Sequence, residues 1–437
     1  MTVCTTKKLL FPDINRRKVE VNFEGGEVTS DGGALVLREV DTKLNLLARV
    51  APLLPDDRNP ARTVHSNLEL LSQRVFALAL GYEDLNDHDD LKNDILFQNI
   101  FGKDEAAASS PTLCRFENRM DRASCIAIHK LLFNVFVESF DTPPVELILD
   151  FDATDDLVYG KQEGKAFNGY YGHDCFLPLH VFCRDHLLVS YLRPGTVDGA
   201  KHALAIFHLL ATALKKQWPN VKIIFRGDGG FGRKEIMSYC ERKNFFYITG
   251  FAGNSRLKKK AFDIMDRAKN EFEKTGENQK IYGEVSYSAK SWDKERTLIV
   301  KAEYNHNGAN TRFVASNLSY TPEELYTKHY CLRGQMENDI KLIKNQLFSD
   351  RTSCSDWDPN QFRLMLSSLA YILMHHIKTV VLKKTELEGK EFNTIRLKLL
   401  KIGAIVIKNT RRLKVMLSSA YPYKNIFKLA HASLVPG

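Results

Sequence analysis

Phe225-Arg-Gly-Asp-Gly-Gly-Phe-Gly-Arg233 carries the spacing Gly227-x-Gly229-x-x-Gly232, and it follows an apolar run, Val221-Lys-Ile-Ile-Phe225, that reads as a strand. Two readings compete for it. In a dinucleotide-binding turn the backbone N–H groups approach a pyrophosphate, and an acidic residue about 20 positions further on binds the ribose. Here the residue inside the turn is Asp228, whose charge would face the phosphates, and Phe245 to Ala261 contains no acidic residue. The dinucleotide reading fails on both counts. The glycines instead let the chain turn sharply after the strand, which leaves Asp228 exposed at its carboxyl end, where open α/β sheets place ligands.

The flanking pattern supports such a sheet. Val145 to Phe151 reads as a buried strand, followed by strands at Phe176 to Cys183 and Leu187 to Leu192, a helix from Ala200 to Gln217, the strand at Val221, a helix from Arg233 to Lys243 and a strand from Phe245 to Thr249. Three consecutive strands followed by alternating helix and strand predict an antiparallel start to a mixed sheet that continues with parallel strands. Upstream, Val19 to Phe23 is strand-like, Glu24 to Gly33 is rich in turn residues, and Leu68 to Leu80 and Ile126 to Phe140 have helical periodicity. Downstream, a basic helix over Ser255 to Lys274 precedes alternating segments at Glu284 to Tyr287, Arg296 to Tyr304 and Arg312 to Ala315. A long helix then fits Pro322 to Leu347 and another fits Phe362 to Val380.

A lone carboxylate after a strand is most often a turn or capping residue, so the meaning of Asp228 depends on partners. Asp150-Phe-Asp152-Ala-Thr-Asp155-Asp156 ends the first strand of the same sheet, and its four carboxylates need a cation to offset their repulsion. Asp150 shares a strand face with Asp152, which the strand's end favours as the partner of Asp228. On the Pro322 helix, Tyr330, Arg333, Glu337, Lys341 and Lys344 share one face that is too polar for a core stripe. Asp152, Asp228 and Glu337 together suit two divalent ions in phosphodiester chemistry, and Mg²⁺ accepts such oxygen ligands while keeping positions open for substrate.

Charge points the same way. The chain of 437 residues has a net charge of +9, yet Gln361 to Gly437 holds 14 Lys and Arg against 3 Asp and Glu, a local +11 that leaves −2 for the rest. Within this segment Ile395-Arg-Leu-Lys-Leu399 and Arg412-Leu-Lys-Val-Met-Leu417 alternate apolar and basic residues, predicting strands with one positive face. Arg396, Lys398, Arg411, Arg412 and Lys414 are therefore candidates to contact a polyphosphate partner.

The remaining numbers describe an ordinary globular protein, with 44% hydrophobic and 26% charged residues. No uninterrupted apolar run approaches the roughly 18 residues of a membrane span, and MTVCTTKKLLFPD lacks the apolar core of a signal peptide, so a cytoplasmic protein is expected. Eight cysteines without a Cys-x-x-Cys pair read as small buried hydrophobes in a reducing compartment. His173, Cys175, His180, Cys183 and His186 are zinc-ligand types, but strand alternation sends His180 and Cys183 to opposite faces.

These residues resemble a known family, the cut-and-paste Asp-Asp-Glu transposases of bacterial insertion sequences, in the group with a Tyr-x2-Arg-x3-Glu-x6-Lys signature. The signature stands here as Tyr330-Cys-Leu-Arg333-Gly-Gln-Met-Glu337 continuing to Lys344. Asp152-Ala-Thr154 and Arg226-Gly-Asp228 look like the two aspartate motifs, and Gly169-Tyr-Tyr-Gly-His-Asp174, Gly81 to His88 and Lys398 to Gly403 extend the similarity over nearly the whole chain. The resemblance implies an α/β, ribonuclease-H-like mixed sheet with flanking helices, interrupted by a β-rich insertion, beside a mainly helical N-terminal region. On that reading residues 1–144 bind DNA, 145–250 form the first part of the catalytic core, 251–318 the insertion, 319–359 the last core helix and 360–437 a basic C-terminal region.

By the same resemblance Asp152, Asp228 and Glu337 would be catalytic and hold two Mg²⁺ ions, with Mn²⁺ able to substitute. Tyr330, Arg333 and Lys344 would hold the terminal phosphates, and Trp292 is a candidate to stack on a flipped base. The partners implied are double-stranded DNA, as terminal inverted repeats and as target, and a second subunit in a homodimer on DNA. The setting would be the bacterial cytoplasm, in association with the nucleoid. The alternatives are a nuclease of the same fold that cuts without joining and a silent, transposase-derived DNA-binding protein.

Overall fold

The computed structural model describes residues 9–103 and 105–435. Residues 1–8, with Cys4 and most of the opening stretch judged for a signal sequence, lie outside the described residues. Strands β1 (Leu9–Ile14), β2 (Arg17–Val21) and β3 (Val28–Thr29) open the chain. After a run of helices come β4 (Glu146–Ala153), β5 (Asp156–Leu157), β6 (Ala166–Asn168), β7 (His173–Phe176), β8 (Leu179–Cys183) and β9 (His186–Tyr191). β10 (Lys222–Gly227), β11 (Phe246–Phe251), β12 (Gln279–Tyr287), β13 (Arg296–Asn305) and β14 (Gly308–Ser316) follow, and β15 (Ala404–Asn409) and β16 (Arg412–Leu417) come last.

Two compact units result, one from Met1–Pro52, Asp56–Phe116 and Leu369–Gly437, the other from Leu53–Pro55 and Glu117–Ser368. The division differs from the one expected at residue 144. Helix Arg122–Glu138 belongs to the second unit because Phe136, Phe133 and Val137 need its sheet to cover them. The first and last parts of the chain, read as regions 1–144 and 360–437, contribute to one unit in which β3 pairs with β15.

The second unit is built on an eight-stranded mixed sheet in the order β12-β13-β14-β11-β10-β4-β8-β9. Its central strands β4, β10 and β11 run parallel, and β8 and β9 extend it antiparallel on one side. On the other side the strands expected as a β-rich insertion continue the same sheet, since β14 pairs with β11. The open edge of β11 has backbone groups that need partners, and the following strands supply them. The single basic helix expected over Ser255 to Lys274 breaks at Ala261 into Ser255–Lys260 and Phe262–Thr275.

Period-two alternation sorts the central strands onto two faces. On one face Leu147, Leu149 and Phe151 of β4 and Ile223 and Phe225 of β10 join helix Ala203–Gln217 in the main core, with the Phe151 and Phe225 rings stacked at 4.5 Å. On the other face Ile148 and Ile224 pack with Ile248, Leu325 and Tyr326 in a smaller cluster. The residues that follow on this second face, Asp150 with Asp152 and Arg226, are polar.

In the first unit β3, β15 and β16 form a small sheet. The strand expected at Ile395 to Leu399 is helical instead, in Phe392–Ile395 and a π-helical turn Arg396–Leu400. Phe392, Ile395, Leu399 and Leu400 are buried and Leu397 is 67% exposed, so burial follows a helical period and overrides the basic–apolar alternation. The second expected strand forms as β16, with Arg412 and Lys414 exposed between half-buried Leu413 and Val415. Trp357–Val381 has the length and hydropathy of a membrane span, but 67% of its most apolar window is buried inside the protein, where its side chains fill a core.

Gly32 and Gly33 donate their N–H groups to the Ile402 and Leu400 carbonyls at 2.8 and 3.0 Å. A Cβ on Gly33 would lie 1.9 Å from the Leu399 carbonyl oxygen. Gly33→Ala therefore destabilises the first unit by about 1–3 kcal/mol or more, as overpacking against immobile backbone does. Urea denaturation followed by far-ultraviolet circular dichroism measures it.

Candidate active site

The polar face of the sheet begins at a buried ion pair. β4 and β10 run parallel with Arg226 opposite Asp150, and the guanidinium grips the carboxylate through two nitrogens, one of them at 2.7 Å. Both side chains are nearly excluded from water, 7% and 3% exposed. The third donor group, Nη1, reaches the carbonyl of His329, the residue before Tyr330. One guanidinium thus ties together the two strands and the helical segment that carry the candidate carboxylates. In the sequence Arg226 stands beside Asp228 with no role of its own. The signal was present, since Asp150 and Arg226 each stand two residues before a candidate ligand and so share its face.

The segment expected as one helix over Pro322 to Leu347 changes pitch at this contact. Pro322–Glu324 leads into a π-helical turn, Leu325–Tyr330, then a 3-10 turn, Cys331–Arg333, then an α-helix, Gly334–Gln346. A carbonyl engaged by an inserted side chain is a recognised cause of such an irregularity. Around it Tyr330 and Arg333 come beside the strand ends. The Tyr330 hydroxyl packs so closely on β11 that a Cβ on Gly250 would lie 2.6 Å from it and 2.7 Å from the Gly229 nitrogen. Glycine at 250 is what lets the Asp228 loop and Tyr330 meet.

Arg333 lies between two of the expected carboxylates, pairing with Glu337 and standing 3.4 Å from an Asp152 oxygen. Asp228 accepts from the Gly230 N–H at 2.8 Å and so caps the short turn Gly229–Phe231. Burial pushes the Asp152 carboxyl up to about 7; Arg333 opposes this, while Asp228 and Glu337 add to it by repulsion. The three carboxylates therefore sense one another across a site whose positive charge is Arg333. Among the described residues no three such ligands are gathered closely enough to hold an ion as they are placed.

The other acids after β4 have different occupations. Lys344 bonds the Asp155 carbonyl, its carboxylate at 3.1 Å and Thr154 Oγ1 at 3.5 Å, and His173 Nε2 meets the same carboxylate at 2.8 Å. Burial works against the Asp155 charge, but Lys344 and His173 hold its pKa below the ordinary value. Asp156 is fully buried with both carboxyl oxygens unpartnered, and burial drives its pKa well above the ordinary value. Asp150 is taken by Arg226. Of the four acids only Asp152 faces Asp228 and Glu337.

The remaining candidates are scattered. Lys341 is exposed, unlike its half-buried neighbours Arg333, Glu337 and Lys344. Trp292, between β12 and β13, is half-buried with its ring 5.4 Å from Phe251, 5.5 Å from Tyr287 and under the Arg296 guanidinium. Arg396 is a correction: it is buried and donates to the Ala79 and Leu78 carbonyls at the end of helix Asn67–Leu80, so its charge caps a helix within its own unit. Lys398 lies over the Tyr423 ring at 4.8 Å, and Arg411, Arg412 and Lys414 are exposed on the β15–β16 hairpin. The zinc-ligand types are also separated in role, with His180 bonded to Ser190 and Cys183 buried.

A family model described as Transposase DDE domain group 1 matches residues 11–436. Comparison with curated proteins found no match. Among solved structures the chain is similar to a piggyBac transposase synaptic complex with hairpin DNA, seen by cryo-EM, at 13% identity, covering 85% of this chain and 79% of that one with a TM-score of 0.42.

Because Asp152 holds its proton to about pH 7 when folded and releases it near pH 4 when unfolded, the folded chain binds more protons in that window, and stability falls as pH rises through it. Without divalent cations, Asp152→Asn raises the melting temperature by about 2 °C or more above pH 7 and leaves it unchanged near pH 4. Thermal melts at the two pH values measure the difference. Removing one partner of the Asp150–Arg226 pair by Arg226→Met costs about 3–5 kcal/mol, and Asp150→Leu/Arg226→Met together costs less than the sum of the single changes, since no charge is left buried alone. Urea denaturation of the three variants closes that cycle.

Proposed function

The chain belongs to the Transposase DDE domain group 1 family, and from that premise we propose that it is a DNA transposase that binds the ends of an insertion sequence, cleaves them and joins the freed 3′-hydroxyls to target DNA. One observation carries the reading. Asp152, Asp228 and Glu337 come from three separate segments and meet electrostatically around Arg333. The strand order β9-β8-β4-β10-β11, three antiparallel strands followed by two parallel ones, supports a ribonuclease-H-like core whose sheet is extended by β14, β13 and β12.

The donor set fits hard divalent cations: it is all carboxylate, and the raised pKa of Asp152 marks a place where added positive charge is favoured. Asp152, Asp228 and Glu337 would hold two Mg²⁺ ions, with Mn²⁺ as substitute. When bound, they would supply the Lewis acidity that activates a water or 3′-hydroxyl and steadies the leaving oxygen.

The chain's own residues do the rest. To hold such ions Asp152 would have to be deprotonated and Glu337 released from Arg333. Arg333, with Tyr330 beside it, would then turn its donors to a phosphate where it held carboxylates, and Lys344 would exchange Asp155 for the DNA backbone. Arg411, Arg412 and Lys414, with the helical N-terminal region, would contact the element ends, giving salt-sensitive binding. Two ends cut in one complex call for a homodimer on DNA.

A cleavage and strand-transfer assay on the flanking element ends with Mg²⁺ or Mn²⁺ tests the proposal. Wild-type protein cuts and joins, and Asp228→Asn lowers both by about 10³-fold or more while retaining DNA binding. Cutting without joining would replace the transposase with a nuclease, and binding unaccompanied by any cutting would leave a DNA-binding protein.

A further inference from the structure

The hairpin of β1 and β2 has an apolar face that no described residue buries. β2 alternates Val19 and Val21 with Lys18 and Glu20, the pattern of a strand with one buried side. Leu9 pairs with Val21, Phe11 with Val19 and Ile14 with Arg17, so Leu9, Phe11, Val19 and Val21 share a face. The irregularity between Phe11 and Ile14 restores Ile14 to it. The hairpin itself is well specified, since Asn15 and Arg16 both have positive φ, 49° and 64°, as a two-residue type I′ turn requires. Yet every residue of β1 is exposed, and Phe11, Ile14 and Val21 show 56%, 63% and 38% of their surface to solvent. Phe23, just beyond β2, is 93% exposed. A two-stranded hairpin with an uncovered apolar face is marginal in water.

We propose that this face is a homotypic interface, closed by the same hairpin of a second copy of the chain. Charge separates the possible occupants. The face carries only Arg17 near the turn among its paired positions, and a surface of Leu, Phe, Ile and Val has nothing to offer a DNA backbone. Each copy instead brings an identical apolar face, and a two-fold axis sets Leu9 and Phe11 of one hairpin against Val21 and Val19 of the other. The side chains named expose roughly 500 Å² per copy, so that face-to-face packing removes on the order of 1,000 Å², the lower bound for a specific interface.

Sedimentation velocity of the full chain without DNA or metal tests this apart from any transposase activity. The wild type self-associates to a dimer, and Phe11→Asp/Val21→Asp weakens association by about tenfold or more, while Glu20→Lys, on the opposite face, leaves it unchanged. A wild type that stays monomeric up to about 100 μM, far weaker than the micromolar range of a stable pair, would overturn the inference. So would a dimer indifferent to the double variant, or a double variant that loses DNA binding with association intact, which would make the hairpin a DNA-binding arm.

Discussion

The Asp150–Arg226 ion pair is the constraint on which the site depends. A guanidinium buried between parallel strands must satisfy its donors where it lies, and it does so with the carboxylate opposite it and with the His329 carbonyl. That arrangement holds β4 and β10 in register, and it fixes where the helical segment approaches them. Asp152 and Asp228 lie two residues beyond the pair, at the strand ends, so the placement of the carboxylates follows from the placement of the guanidinium. The change of pitch before Arg333 brings the signature residues into the same space.

Beyond the pair the site has more negative charge than it can comfortably keep. Burial opposes the charge of Asp156, Asp155 is held by Lys344 and His173, and Arg333 divides its charge between Asp152 and Glu337. Such a cluster is stable in the folded chain because the surrounding core over-determines it: Phe151, Phe225, Phe207 and Phe231 lock the opposite face of the same strands. Strands that are apolar on one side and acidic on the other convert the stability of that core into electrostatic tension at the site, and a polyphosphate partner with its cations would relieve it.

Much of this was legible in the sequence. The strands around Asp152 and Asp228, the helices between them and the polar helix carrying Glu337 all follow from local periodicity, because their burial is one-sided and their apolar residues repeat with the element's own period. The expectation at Ile395 to Leu399 went the other way. Its apolar residues alternate with Arg396 and Lys398, yet the chain is helical there, since Phe392, Ile395, Leu399 and Leu400 face a core assembled from distant segments. Arg396 looked like a surface cation for the same reason, and only its partners at Leu78 and Ala79 make it a helix cap.

The sequence by itself determined the elements, the candidate carboxylates and the Tyr-Arg-Glu-Lys spacing, because these depend on residue type and on separations of a few positions along one strand or helix. Tertiary structure alone decided what occupies the other acids after β4, that Arg226 joins three segments, that strands read as an insertion extend the main sheet, and that the apolar face of the hairpin at Leu9 to Val21 is exposed among the described residues. Each of these depends on residues that lie far apart in the chain, such as Arg226 and His329 or β11 and β14, and no local pattern records which distant group will arrive to satisfy a buried charge or an open strand edge.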